Sequence, residues 1–181
     1  DYRTRAASNL TGEVVEIGVG SGLNVPVYPE GVTKVVAVEP SLTARKLARE
    51  RVEASNIPIE FSGLDGQHLP LPDASADSAL STFTLCTIPD AGQALAELHR
   101  VLKPGGTFGF VEHGLSPDPA IRRWQNRLNS TQRRLAGGCN LNRDIDQLIA
   151  AHGFTINQLE TFAIPGPKLA APWGHIYLGS A

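Results

Sequence analysis

Three carboxylates and three glycines between positions 16 and 66 have the types and spacing to hold a nucleoside. Gly18, Gly20 and Gly22 follow the apolar run Val14–Ile17 in a G-x-G-x-G pattern. Glycine has no Cβ and takes positive φ readily, so a ligand can press against the backbone there. A strand that turns through glycines into a helix also aims unpaired N–H groups at whatever lies above the sheet. Glu39 stands twenty-one positions after Gly18, ending the β-branched run from Lys34, and Pro40 follows it. In a nucleotide-binding α/β sheet a carboxylate so placed accepts hydrogen bonds from both ribose hydroxyls. Asp65, with Gly66 after it, can accept from an adenine amino group, or it can serve as a turn aspartate bonding its own backbone. Glu16 lies inside the first apolar run, where a buried charge needs a cationic ligand group or a local N–H as partner.

The spacing also selects the ligand. A dinucleotide site calls for G-x-G-x-x-G, so that the following helix packs against the pyrophosphate, but position 23 is Leu. The Lys and Ser/Thr of a phosphate-gripping loop are missing as well. A ligand with ribose and adenine but no phosphate fits better, and S-adenosylmethionine is such a ligand.

Candidates for the acceptor side come later in the chain. His113 follows a strand at the carboxyl edge of the sheet and is the candidate general base, with a structural histidine bonded to a loop carbonyl as the alternative. Cys86 and Asn140 are candidate acceptor contacts. The alternative for Cys86, and for Cys139, is a small apolar filler; for Asn140 it is a cap on the helix beginning near Arg143. His175 reads as structural, and no metal site is expected.

The elements that must position these residues alternate between strand and helix, which argues for an α/β fold with a mainly parallel sheet. Strands are expected at Val14–Ile17, Lys34–Glu39, Ile57–Phe61, Asp77–Phe83 and Thr107–Glu112. Two more should close the chain at Phe154–Phe162 and Trp173–Leu178. Helices are expected from Ser41 through Val52, from Asp90 to Leu102, from Ala120 to about Leu135, and from Arg143 to about His152. No repeat or linker divides the 181 residues, so one domain is expected over 1–181.

Composition excludes several classes. A net charge of −2 gives no global attraction to nucleic acid. Two cysteines build no disulfide framework, which makes a cytoplasmic location the default. No apolar run reaches the roughly 20 residues of a membrane span. A chain that starts at Asp1 and contains no Met is expected to be a processed or trimmed product. The one charge asymmetry lies at 121–135, with five arginines, no acid, and Ile121, Trp124, Leu128 and Leu135 near one helical face. It reads as an ordinary amphipathic helix, or as a membrane-surface contact or lid that would make the protein membrane-peripheral.

Val15–Gly22, Glu39, Asp65-Gly66, the segment Leu71–Asp77 and Leu98–Gly106 together resemble the class I S-adenosylmethionine-dependent methyltransferases, in their small-molecule branch. More narrowly, Ser21–Asn24, Thr84–Thr87, Glu112-His113 and Gly138–Arg143 are similar to the membrane-associated thiol S-methyltransferase-like family and its bacterial relatives, often labelled phospholipid methyltransferases. The animal members carry an N-terminal hydrophobic anchor, whereas no apolar run follows Asp1 here. The resemblance implies a Rossmann-like, doubly wound, three-layer α/β/α fold whose seven-stranded sheet has its last strand antiparallel. It implies S-adenosyl-L-methionine as donor and S-adenosyl-L-homocysteine as product. The methionyl part would lie in the glycine loop with its amino group near Gly18, the ribose on Glu39, adenine on Asp65 and Gly66, and the sulfonium beside Thr82. The expected function is methyl transfer to a small, apolar acceptor, a thiol being favoured. Phospholipid headgroup N-methylation and a non-catalytic S-adenosylmethionine-binding module stand as alternatives, and a dinucleotide oxidoreductase as a distant third.

Overall fold

The computed structural model describes residues 1–181. Strand β1 (Gly12–Ile17) is followed by β2 (Val32–Val38), helix α2 (Leu42–Glu53), β3 (Ile59–Phe61) and β4 (Ala76–Thr82). Helix α3 (Ala91–Val101) leads into β5 (Leu102–His113), then α4 (Pro119–Leu135), α5 (Ile145–Ala151), β6 (Gln158–Ala163) and β7 (His175–Ser180). A short helix, α1 (Tyr2–Ala7), precedes them all. The seven strands lie in the order β3-β2-β1-β4-β5-β7-β6. Six run parallel, and β7 runs antiparallel between β5 and β6.

Period-2 alternation along β1 sends Val14 into one apolar layer and Val15 and Ile17 into the other. Burial on both faces is why this strand reads as a nearly continuous apolar run. The larger layer joins β1, β4 and β5 to Leu95 and Leu98 of α3 and to Ile145 and Ile149 of α5. The opposite layer holds Leu80 and Val111 beneath Ala6 and Ala7 of α1. That helix comes so close to β5 that a Cβ on Gly109 would overlap the Ala6 carbonyl. Since β1, β2, β4 and β5 are parallel, Ile17, Val38, Thr82 and His113 all finish at one edge, where a doubly wound sheet binds its ligands.

Some expected boundaries move. The first closing strand begins at Gln158 instead of Phe154, because Phe154 turns into the core against Phe108, with ring centroids 5.1 Å apart. The second begins at His175, since Trp173 belongs to a 3-10 turn over Lys168–Trp173. The fifth strand extends back to Leu102, with a register shift against β4. Helix α1 has only Ala6 and Ala7 buried, too few for a helical period to show, and the Asp1 side chain caps it by accepting from the Arg3 N–H at 3.1 Å. No helix is long and apolar enough to cross a membrane.

Candidate active site

After Ile17 the chain turns at Gly18 (φ +69°) and Gly20 (φ +58°). A Cβ on Gly18 would overlap the Thr84 hydroxyl, so glycine is required both by conformation and by space. The Gly20 N–H donates to Glu39 Oε2 at 2.8 Å, and the Ser41 N–H donates to Oε1 at 2.8 Å. Each oxygen of this buried carboxylate is thus fixed by one backbone donor, and each keeps a lone pair for a further bond. Beside it lies a cleft of about 530 Å³ whose wall includes Gly18, Gly20, Glu39, Pro40, Asp65 and Gly66. The volume and the few convergent polar groups suit a nucleoside-sized ligand. Asp65 Oδ1 accepts from both the backbone and side-chain N–H of Gln67 at 2.9 Å, and Oδ2 lies 3.1 Å from His68 Nδ1. These bonds lower its pKa, Gln67 contributing most, so it stays an acceptor.

Three residues assigned to the ligand stand behind this wall. Glu16 is fully buried and accepts from Asn24 Nδ2 at 2.7 Å and from the Tyr28 hydroxyl. The Thr82 hydroxyl accepts from Asn24 at 2.8 Å and from Arg3 Nη1 at 2.7 Å. Gly22 packs toward Ala48, with no more than 3.1 Å for a Cβ. The partner that a buried acid at position 16 demands is therefore this polar network under the glycine loop. At the end of β4 it is Phe83 and Thr84 that line the cleft. Phe83 has φ +55°, an uncommon conformation for a large side chain that turns the loop after β4 into the cleft.

The loop after β4 is held from two sides. Fully buried Glu112 accepts from Ser81 Oγ (2.7 Å) and from the N–H groups of Thr84 (3.0 Å), Leu85 (3.0 Å) and Cys86 (3.1 Å). Burial pushes its pKa up while the four donors pull it down. Arg143 donates to the Leu85 carbonyl and, at 3.0 Å, to that of Pro89. Asn140 completes the brace: its N–H and its Nδ2 both reach the Cys86 carbonyl, at 2.7 and 3.1 Å, and Nδ2 also reaches Gly138 O at 3.0 Å. That side chain positions the loop, and it does not cap α5, whose N-cap is Asp144. His113 ends β5 with its ring against Phe83, centroids 4.8 Å apart. Its ring nitrogen and the sulfurs of Cys86 and Cys139 all lie within 4.8 Å of one another. The neighbouring Cys86 and then His113 hold the Cys139 thiol below its ordinary value, while Cys139 and burial push buried Cys86 up.

Glu112 and Arg143 carry no role in the sequence reading. A signal for Glu112 existed, since it is an acid inside an apolar strand, the same logic applied to Glu16.

A doubly wound sheet with a glycine turn, a backbone-held carboxylate after its second strand and no phosphate grip defines a Rossmann-like protein with a cleft suited to a nucleoside. The family described as "Methyltransferase domain" matches residues 15–110. The chain is 33% identical to rat Thiol S-methyltransferase TMT1B over 172 residues, 93% of this chain and 69% of that protein. It is 32% identical to the Phosphatidylethanolamine N-methyltransferase of Cereibacter sphaeroides over 138 residues, 70% of this chain and 68% of the other. An S-adenosylmethionine-dependent methyltransferase structure from Mesorhizobium loti superposes with a TM-score of 0.68 at 20% identity, covering 94% and 90% of the two chains. The protein belongs to the class I S-adenosylmethionine-dependent methyltransferases. Its donor is S-adenosylmethionine and its product S-adenosylhomocysteine.

Proposed function

We propose that the protein is a thiol S-methyltransferase acting on a small apolar thiol. The observation that carries this reading is the state of Glu112. It immediately precedes His113, and four hydrogen bonds turn it inward. A protonated amine must lose a proton to a base before it can attack a methyl group, and Glu112 is committed to the loop after β4. A thiol with pKa near 8.5 is a few per cent thiolate at neutral pH and already strongly nucleophilic. Phe83, Ile88 and Pro89 supply an apolar wall for its alkyl part. The similarity to TMT1B supports the same choice.

In this reading Glu39, Asp65 and the glycine loop hold S-adenosylmethionine, which supplies an electrophilic methyl group on a sulfonium. The chain itself aligns the acceptor and excludes water, and alignment alone can lower a barrier by roughly 7–11 kcal/mol. His113, its ring against Phe83 of the cleft wall, is the candidate to take the thiol proton. The test is an alkyl thiol against the amine of the same skeleton: only the thiol should become labelled from labelled donor, and label in the amine alone would reject the proposal.

A peripheral membrane contact accompanies it. Helix α4 carries five arginines and no acid. Beside it, Ile121, Trp124, Leu128, Leu169, Pro172 and Trp173 line an apolar groove of about 520 Å³. Basic residues flanking exposed aromatic and apolar ones suit an anionic lipid surface. Sedimentation with anionic but not with neutral vesicles is expected, and equal binding to both would remove the contact from the account.

A further inference from the structure

We propose that Cys86, His113 and Cys139 form a three-ligand site for a thiophilic divalent metal ion of the zinc type, open at its fourth position. The three residues are 27 and 26 positions apart in sequence, yet their donor atoms lie within 4.8 Å of one another. With zinc–sulfur bonds of about 2.3 Å, a tetrahedral site needs its sulfurs about 3.8 Å apart, so closure by at most about 1 Å completes it. Two thiolates and an imidazole are the ligand types that such an ion selects.

The surrounding bonds already fix the ligands. Glu112 accepts from the Cys86 N–H at 3.1 Å and immediately precedes His113. The Cys86 carbonyl takes the Asn140 N–H at 2.7 Å and its Nδ2 at 3.1 Å, which ties position 86 to the residue after Cys139. Outer bonds of this kind orient metal ligands. Thr87, whose hydroxyl is 4.0 Å from Cys86 Sγ, and Phe83, packed against His113, both line the cleft. The open position therefore borders the cavity where an acceptor would sit.

Three protein ligands with one position left open is the pattern of catalytic rather than structural zinc. A thiol entering that position would form a metal–sulfur bond as its S–H bond breaks, the proton passing to solvent, since a coordinating thiol is deprotonated outright. This second step rests on the thiol reading above, with His113 then a ligand and solvent, not His113, taking the proton. The metal site itself does not.

The experiment is a titration of the reduced, metal-free chain with Co²⁺, read by thiolate-to-metal absorption. One Co²⁺ per chain with strong thiolate absorption is expected, and Cys139→Ser and His113→Gln should each weaken binding at least about tenfold. Cys139 is only half-buried, so its variant separates ligand loss from misfolding, with circular dichroism as the check. Absence of thiolate absorption, or absorption unaltered in Cys139→Ser, would overturn the site. Adding a small alkyl thiol to the Co²⁺-loaded chain should shift the spectrum; an unchanged spectrum would refute the open position. A chain that binds Co²⁺ as expected but labels no thiol would refute the acceptor reading and leave the metal site standing.

Discussion

The Gly20 N–H and Glu39 Oε2, nineteen positions apart, meet at 2.8 Å across the gap between the first two strands. The bond joins the glycine turn to the carboxylate proposed to bind the ribose, so the two parts of the cleft wall hold each other in place. Ser41, just before α2, holds the second oxygen at 2.8 Å.

Glu39→Gln would set an amide NH₂ against one of these two backbone donors and remove the charge. Hydrogen bonds to charged groups contribute about 1.5–3 kcal/mol each. Affinity for S-adenosylhomocysteine should fall at least about tenfold by calorimetry on folded protein, and stability should fall by about 1–3 kcal/mol. Unaltered affinity would mean that the ribose lies elsewhere.

Two glycines test the turn. Gly18→Ala combines a left-handed φ of +69° with overlap on the Thr84 hydroxyl. Gly137→Ala, at φ +57° on the rim, meets nothing within 4 Å. The conformation alone costs about 1–2 kcal/mol at either position. Cofactor affinity should collapse in the first variant and survive in the second, both measured by calorimetry on folded protein.

Glu112→Ala would leave three backbone N–H groups of the loop after β4 without their acceptor. A buried polar group left without its partner costs about 1–3 kcal/mol. Denaturant unfolding should show a loss of that size, and exchange protection of the Thr84, Leu85 and Cys86 amides should drop. A loss below about 1 kcal/mol would show that the brace by Arg143 and Asn140 suffices.

Burial raises Glu16 to about 7 from its ordinary 4.5, against the opposing pull of Tyr28, Asn24 and Arg3. Between these values the folded chain retains a proton that the unfolded chain has released. The contribution to stability is full below about pH 4.5 and is lost as pH rises through about 7. Glu16→Gln should flatten that slope in denaturation midpoints taken across the window. An identical slope in the variant would assign it to another group.

The cleft wall at Gly18, Gly20, Glu39, Asp65 and Gly66 was legible because these residues follow three consecutive parallel strands, β1, β2 and β3. Each follows its strand at a spacing that such a sheet dictates. The acceptor half was not, because its bonds span long separations: 27 positions from Glu112 to Leu85, 58 from Arg143 to Leu85 and 54 from Asn140 to Cys86. Thr82 shows the limit of resemblance. Its position at the strand end agrees with expectation, but Arg3 and Asn24 occupy its hydroxyl, and Arg3 belongs to the helix that sequence periodicity did not reveal.

The most direct measurement is transfer of labelled methyl from S-adenosylmethionine to a small alkyl thiol and, in parallel, to phosphatidylethanolamine vesicles. The account predicts label in the thioether, none in the lipid, and loss of transfer in the variant Glu39→Ala. Label in the lipid with none in the thiol would contradict it.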